Sequence, residues 1–141
     1  MYIIIVGAGK LGYYLTKDLL KKNFEVTLMD WNRSKVAELD PEFGENIIYG
    51  NGSSLNGLEK AGCCRADVIV AATGHDEDNL VICQMAKRYF KVKKAIARIN
   101  NPKNESVFKK LGVGTTVSST KSVAEAIEHY MASNEIMSLL E

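Results

Sequence analysis

The chain has 141 residues, 46% of them hydrophobic, enough for one sizeable core and one domain rather than two. Lys and Arg number 18 against 17 Asp and Glu, so no net field draws the chain to nucleic acid or an anionic membrane, and no nucleic-acid partner is expected. Cys63, Cys64 and Cys83 are odd in number and lack CxxC spacing near His75 or His129, so they read as reduced thiols of a cytosolic protein, not as a metal site.

The apolar run Tyr2 to Val6 is too short for a signal peptide and has no basic leader, so it predicts a strand in a chain that neither crosses a membrane nor is exported. Further short apolar or β-branched runs predict strands at 25–29, 46–49, 67–72, 93–98 and 114–118. Helical patterns fill the intervals at 11–22, 33–39, 55–61, 76–90 and 102–111, punctuated by Gly62, Gly112 and the Asn101–Pro102 pair. This alternation predicts an α/β fold: a doubly wound, parallel six-stranded sheet with right-handed crossovers and helices on both faces. A last helix, 122–141, begins with the capping box Ser122-x-x-Glu125 and carries Val123, Ala124, Ile127, Tyr130 and Met131 on one face, read as its core side. Ile136, Leu139 and Leu140 fall off that stripe, so the helix end either frays or is covered by another surface. The expected division is a nucleotide-binding domain at 1–120 and an oligomer-contact helix at 121–141.

Gly7, Gly9 and Gly12 follow the first strand and open the first helix, and Asp30 closes the second strand 18 residues after Gly12. A GxGxxG pattern alone is weak, but in this βαβ context it predicts a Rossmann-type cleft. Gly7 makes the tight turn, Gly9 admits a pyrophosphate, and Gly12 lets helix and strand pack, with the helix N-terminus facing the phosphates. The Asp30 carboxylate is placed for ribose hydroxyls and repels a 2'-phosphate, which favours NAD(H) or an adenine nucleotide over NADP. The catalytic Tyr-x-x-x-Lys pattern occurs at Tyr13–Lys17 and Tyr89–Lys93, both on the wrong helices for a reductase. His75 has no orienting carboxylate in its sequence context, and the strand–helix units leave no residues for a substrate domain.

Several blocks together resemble the N-terminal nucleotide-binding domain (KTN, RCK or TrkA-N) of the Trk/Ktr potassium-uptake regulators: YIIIVGAGKLGYYLTKDL, DWNRSKV, YGNGSS, ADVIVAATGHDEDNL and AIARINNP. The resemblance covers essentially the whole chain. It implies a regulatory module rather than an enzyme, with NAD(H), ATP or ADP in the cleft. It further implies a homo-oligomer at the inner face of the cell membrane, seated beneath a membrane-embedded potassium transporter. Carried over by residue, Gly7, Gly9 and Gly12 hold phosphates, Asp30 the ribose, and Asn51 and Gly52 the adenine edge. Lys10 stands where many members carry an arginine reaching a terminal phosphate, Thr73, Asp76 and Asn79 border the cleft, and Arg98 points toward phosphate. Leu11, Trp31, Arg33, Ser53, Ala72 and Gly74 complete the candidate cofactor-binding set. Three departures stand out: Asn51 replaces a usual aspartate, Ser118-Ser119-Thr120 replaces a frequent Pro-Glu, and the family's C-terminal ligand-binding lobe is absent. The chain is thus either an excised N-domain or a one-lobe protein with a separate partner. Rival readings are the NAD-binding domain of a dehydrogenase and, against the glycine spacing and the parallel sixth strand, a methyltransferase.

Overall fold

The computed structural model describes residues 1–133. Its elements in chain order are β1 (Tyr2–Val6), α1 (Lys10–Lys21), β2 (Glu25–Asp30), α2 (Arg33–Phe43), β3 (Ile47–Tyr49) and α3 (Leu55–Lys60), then β4 (Val68–Ala71), α4 (Asp76–Tyr89), β5 (Lys94–Arg98), α5 (Glu105–Lys110), β6 (Thr116–Val117) and α6 (Ser119–Ser133). The strands form one parallel sheet in the order β3-β2-β1-β4-β5-β6.

β1 is central because all five of its residues are apolar-bodied and buried, which suits a strand covered on both faces. It pairs with β2 from Tyr2 opposite Glu25 to Val6 opposite Met29, and with β4 from Ile3 opposite Val68 to Val6 opposite Ala71. Side chains alternate between faces. Ile3 and Ile5 join Val26, Leu28 and Val70 under α1 and α2, whereas Ile4 and Val6 join Ile69, Leu58, Ile82 and Phe108 under α3, α4 and α5. Burying each large aliphatic side chain there contributes about 1.5–3 kcal/mol. The winding reverses between β1 and β4, so their C-terminal ends diverge and leave a crevice at the sheet's edge.

Four boundaries depart from expectation. α2 continues through Pro41 to Phe43, whose buried ring packs edge-on against Tyr13 at 5.4 Å. The 102–111 helix divides into a 3-10 turn, Pro102–Asn104, and α5. β6 is only two residues long. α6 starts at Ser119, because Ser118 Oγ accepts the Lys121 N–H at 3.2 Å and takes the capping position expected of Ser122.

The expected core side of α6 is also corrected. Val123 and Ile127 are 58% and 54% exposed, Tyr130 is exposed as well, and Met131 is half-buried. The apolar stripe of α6 is therefore largely exposed and not packed on the sheet. Ile136, Leu139 and Leu140 lie outside the described residues. Among the described residues no helix is long and apolar enough to cross a membrane, and Cys63, Cys64 and Cys83 are free thiols.

Candidate functional site

At the crevice between β1 and β4 lies a cleft of about 440 Å³. Its floor and near wall come from Val6, Gly7 and Gly9 at the end of β1, and from Asp30 and Trp31 at the end of β2. Gly50, Asn51, Gly52 and Ser53 contribute from the turn after β3. The far wall is Ala72, Thr73, Gly74, His75, Asp78 and Ile82 after β4, with Arg98 from β5.

Two glycines set the shape of the near wall. Gly7 has φ +111°, and a Cβ there would stand 2.8 Å from the Ala72 backbone; Gly12 would drive a Cβ to 1.8 Å from the Gly7 carbonyl oxygen. Gly9 differs, because a Cβ on it would meet nothing within 4 Å. The Gly9 backbone therefore borders open space, and its lack of a side chain lets another molecule approach closely. Gly9 is also the N-cap of α1, and the positive end of this twelve-residue helix borders the cleft with no acidic residue in its own first turn.

Asp30 ties the two loops of this wall together. Its Oδ2 accepts the Ala8 N–H at 2.8 Å and its Oδ1 accepts the Asn32 N–H at 2.8 Å. Each oxygen keeps a lone pair, so the carboxylate can still accept ribose hydroxyls. Trp31 stacks on Tyr49 at 5.1 Å with 13° between the planes, and the Arg33 guanidinium lies 4.0 Å above the Tyr49 ring. Asn51 Oδ1 accepts the Ser53 N–H at 2.9 Å, which shapes the turn after β3.

The far wall is held by a network of amides. Asn79 is fully buried: its Oδ1 accepts the Thr73 N–H at 3.0 Å and hydroxyl at 2.6 Å, and its Nδ2 donates to the Thr73 and Arg98 carbonyls at 3.1 and 2.9 Å. It thereby clamps the end of β4 to the end of β5. Asp76, 8% exposed, accepts the backbone N–H groups of Asn100 and Asn101 at 2.6 and 3.0 Å and the side-chain amides of Asn100 and Asn104 at 2.9 and 2.8 Å. Burial alone would raise its pKa, but these four hydrogen bonds outweigh burial and hold the carboxyl below its ordinary value.

Of the residues expected at the site, Gly7, Gly9, Asp30, Trp31, Asn51, Gly52, Ser53, Ala72, Thr73, Gly74 and Arg98 converge on the cleft. Gly12, Asp76 and Asn79 stand behind it: Gly12 packs helix to loop, and the other two spend their polar groups on the chain itself. Lys10 lies in a neighbouring groove between α1 and α2 with Tyr14, Lys35 and Glu38, Leu11 is exposed, and Arg33 is engaged by Tyr49. Lys10, Leu11, Gly12, Arg33, Asp76 and Asn79 are thus not among the cleft-lining residues. Asp78, Gly50, Val6 and Ile82 line it without having been singled out, and His75, weighed from the sequence only as a catalytic candidate, lines it too. Asp78 had one legible signal, its place in the first turn of a helix that starts at the cleft.

Arg98 is the one arginine or lysine of the lining, and its buried Nε has no hydrogen-bond partner among the described residues. An unpaired buried donor costs about 1–3 kcal/mol. Tyr13, of the first Tyr-x-x-x-Lys pattern, donates to Glu42 at 2.7 Å on the α1–α2 surface, and Tyr89 lies exposed at the opposite end of α4.

The model of the TrkA-N domain family matches residues 3–119. A "Trk system potassium uptake protein TrkA homolog" from Methanothermobacter thermautotrophicus is 35% identical over 140 residues, covering 99% of this chain and 64% of that protein. The chain therefore spans just under two thirds of this relative's length. Among solved structures, the TrkA-N domain of the inner membrane protein ybaL from Escherichia coli superposes with a TM-score of 0.83 at 19% identity, over 92% of this chain and 96% of that one. The Kef C-terminal domain of Shewanella denitrificans in its AMP-bound form gives 0.79 at 21% identity, over 97% and 84%. With its Rossmann-type sheet and a family match spanning nearly its whole length, the chain belongs to the TrkA-N domain family.

Proposed function

We propose that the chain is a regulatory module that binds an adenine nucleotide, NAD(H) or ATP/ADP, and uses it to bias a membrane-embedded potassium transporter of the Trk/Ktr type. The observation that carries the reading is Arg98: a buried, unpartnered guanidinium nitrogen on a cleft whose opposite wall is a glycine loop at a helix N-terminus. In the proposed pose the ligand diphosphate lies against the Gly7–Gly12 loop, the ribose hydroxyls donate to Asp30, and the base lies by Trp31 and the 51–53 turn. The AMP bound to the Kef domain and the name of the Methanothermobacter relative support the ligand class and the potassium system.

The module works by binding and not by chemistry. A ligand shifts a two-state assembly only as far as its affinities for the two states differ. The transmitting element in this proposal is α6, whose outward Val123 and Ile127 meet a second copy in a homo-oligomer at the inner face of the cell membrane. Sedimentation equilibrium with and without NADH tests the link. The unaltered chain is expected to self-associate with a nucleotide-dependent constant, and Ile127→Glu to weaken association about tenfold or more by placing a charge in the apolar contact. A chain that stays monomeric at high micromolar concentration, or an Ile127→Glu variant that associates equally well, would remove α6 from the mechanism.

A further inference from the structure

We infer that the cleft selects a dinucleotide of the NAD(H) type over ATP, through the carboxylate of Asp78 on its far wall. This selectivity rests on the nucleotide reading of the same cleft and is set by the part of the ligand beyond the diphosphate. The two ligands share an adenosine and an α,β-diphosphate and then diverge: ATP continues with a charged phosphate, NADH with an uncharged ribosyl-nicotinamide.

The continuation leads from the α1 N-terminus across the crevice toward α4. The two helix ends that meet there differ in charge. α1 has no acid in its first turn, whereas α4 carries Asp76, Glu77 and Asp78 in its own, which offset the positive end of the helix dipole. Asp76 is consumed by the asparagine amides, but Asp78 lines the cleft and forms no hydrogen bond or ion pair among the described residues. Lys10, the residue expected to reach a terminal phosphate, sits in the α1–α2 groove instead.

A third phosphate would therefore meet one cation, Arg98, and the Asp78 carboxylate, which has no ion-pair partner among the described residues. The nicotinamide half fits the same wall better. Its ribose hydroxyls and carboxamide N–H groups can donate to Asp78. Arg98 is left to pair with the diphosphate that both ligands carry.

Calorimetric titration of the full chain and of Asp78→Asn with NADH and with magnesium-free ATP, at fixed ionic strength, tests this. The unaltered chain is expected to bind NADH at least tenfold more tightly. Asp78→Asn should tighten ATP by about tenfold, the scale of one pKa unit of charge interaction, and weaken NADH, whose nicotinamide half loses a charged acceptor, so that the gap between the two ligands closes. ATP binding as tightly as NADH, or a gap that Asp78→Asn leaves unchanged, would overturn the selectivity while leaving a nucleotide site in place. A folded chain that binds neither ligand would overturn the nucleotide reading and this inference together.

Discussion

Replacing Gly12 by alanine is expected to destabilise the domain by about 3 kcal/mol or more, at the upper end of what overpacking usually costs. The added Cβ would stand 1.8 Å from the Gly7 carbonyl oxygen and 3.0 Å from its carbon, and neither atom is a side-chain tip that can swing away. Gly7 is itself fixed by its N–H bond to the Met29 carbonyl at 2.8 Å and by the Ala72 backbone beside it. Relief therefore requires α1 to lift from the sheet, losing contacts of Leu15 and Leu19 with the core. Thermal unfolding should show a fall in Tm of roughly 10 °C. Gly9→Ala is the matched control: its φ of −72° suits alanine and its Cβ meets no atom, so stability should be preserved. Equal Tm values for Gly12→Ala and the unaltered chain would show that the helix and loop are not held this closely.

Asp76→Ala is expected to cost about 3 kcal/mol, because it leaves the Asn100 and Asn101 N–H groups without their acceptor in a nearly closed site. The loss should also change the acid limb of stability. The carboxyl's folded-state pKa lies below its ordinary value of 3.8, so its contribution is fully present above that value and is lost as pH falls through the lower, folded-state one. Denaturant titrations from pH 6 down to about pH 2 should therefore show the unaltered chain losing stability across the acid range, with a flatter profile for Asp76→Ala. Parallel profiles would mean that the asparagine cluster does not stabilise the charged form. Because the loop it anchors follows Arg98, the variant should also loosen the far wall of the cleft.

Much of the fold was legible because it is written in local periodicity. The continuous apolar run of β1, the glycines after it and the acid ending β2 each depend on near neighbours in sequence, and all three lie where the pattern put them. α6 was not legible in this way. Its stripe at Val123 and Ile127 has the spacing of a core face, and periodicity does not say whether the surface it meets belongs to the same chain. The site divides along the same line. Gly9, Asp30 and Asn51 line the cleft because strand ends deliver them there, but Asp76 and Asn79 turn inward because partners distant in sequence, Asn100, Asn104 and the Arg98 carbonyl, claim their polar groups. Lys10 shows the converse: a residue within the glycine motif whose side chain falls on the other side of the helix start, beside Lys35 and Glu38.

Calorimetric titration of NADH into the unaltered chain and into Asp30→Ala tests the nucleotide site most directly. The carboxylate lines the cleft and accepts the Ala8 N–H of the glycine loop, and hydrogen bonds to a charged group contribute about 1.5–3 kcal/mol. The expected result is saturable binding of one NADH per chain, weakened roughly tenfold to a hundredfold in an Asp30→Ala variant whose circular dichroism remains that of a folded α/β domain. Equal affinity of the two proteins for NADH, or no binding to the folded unaltered chain, would contradict it.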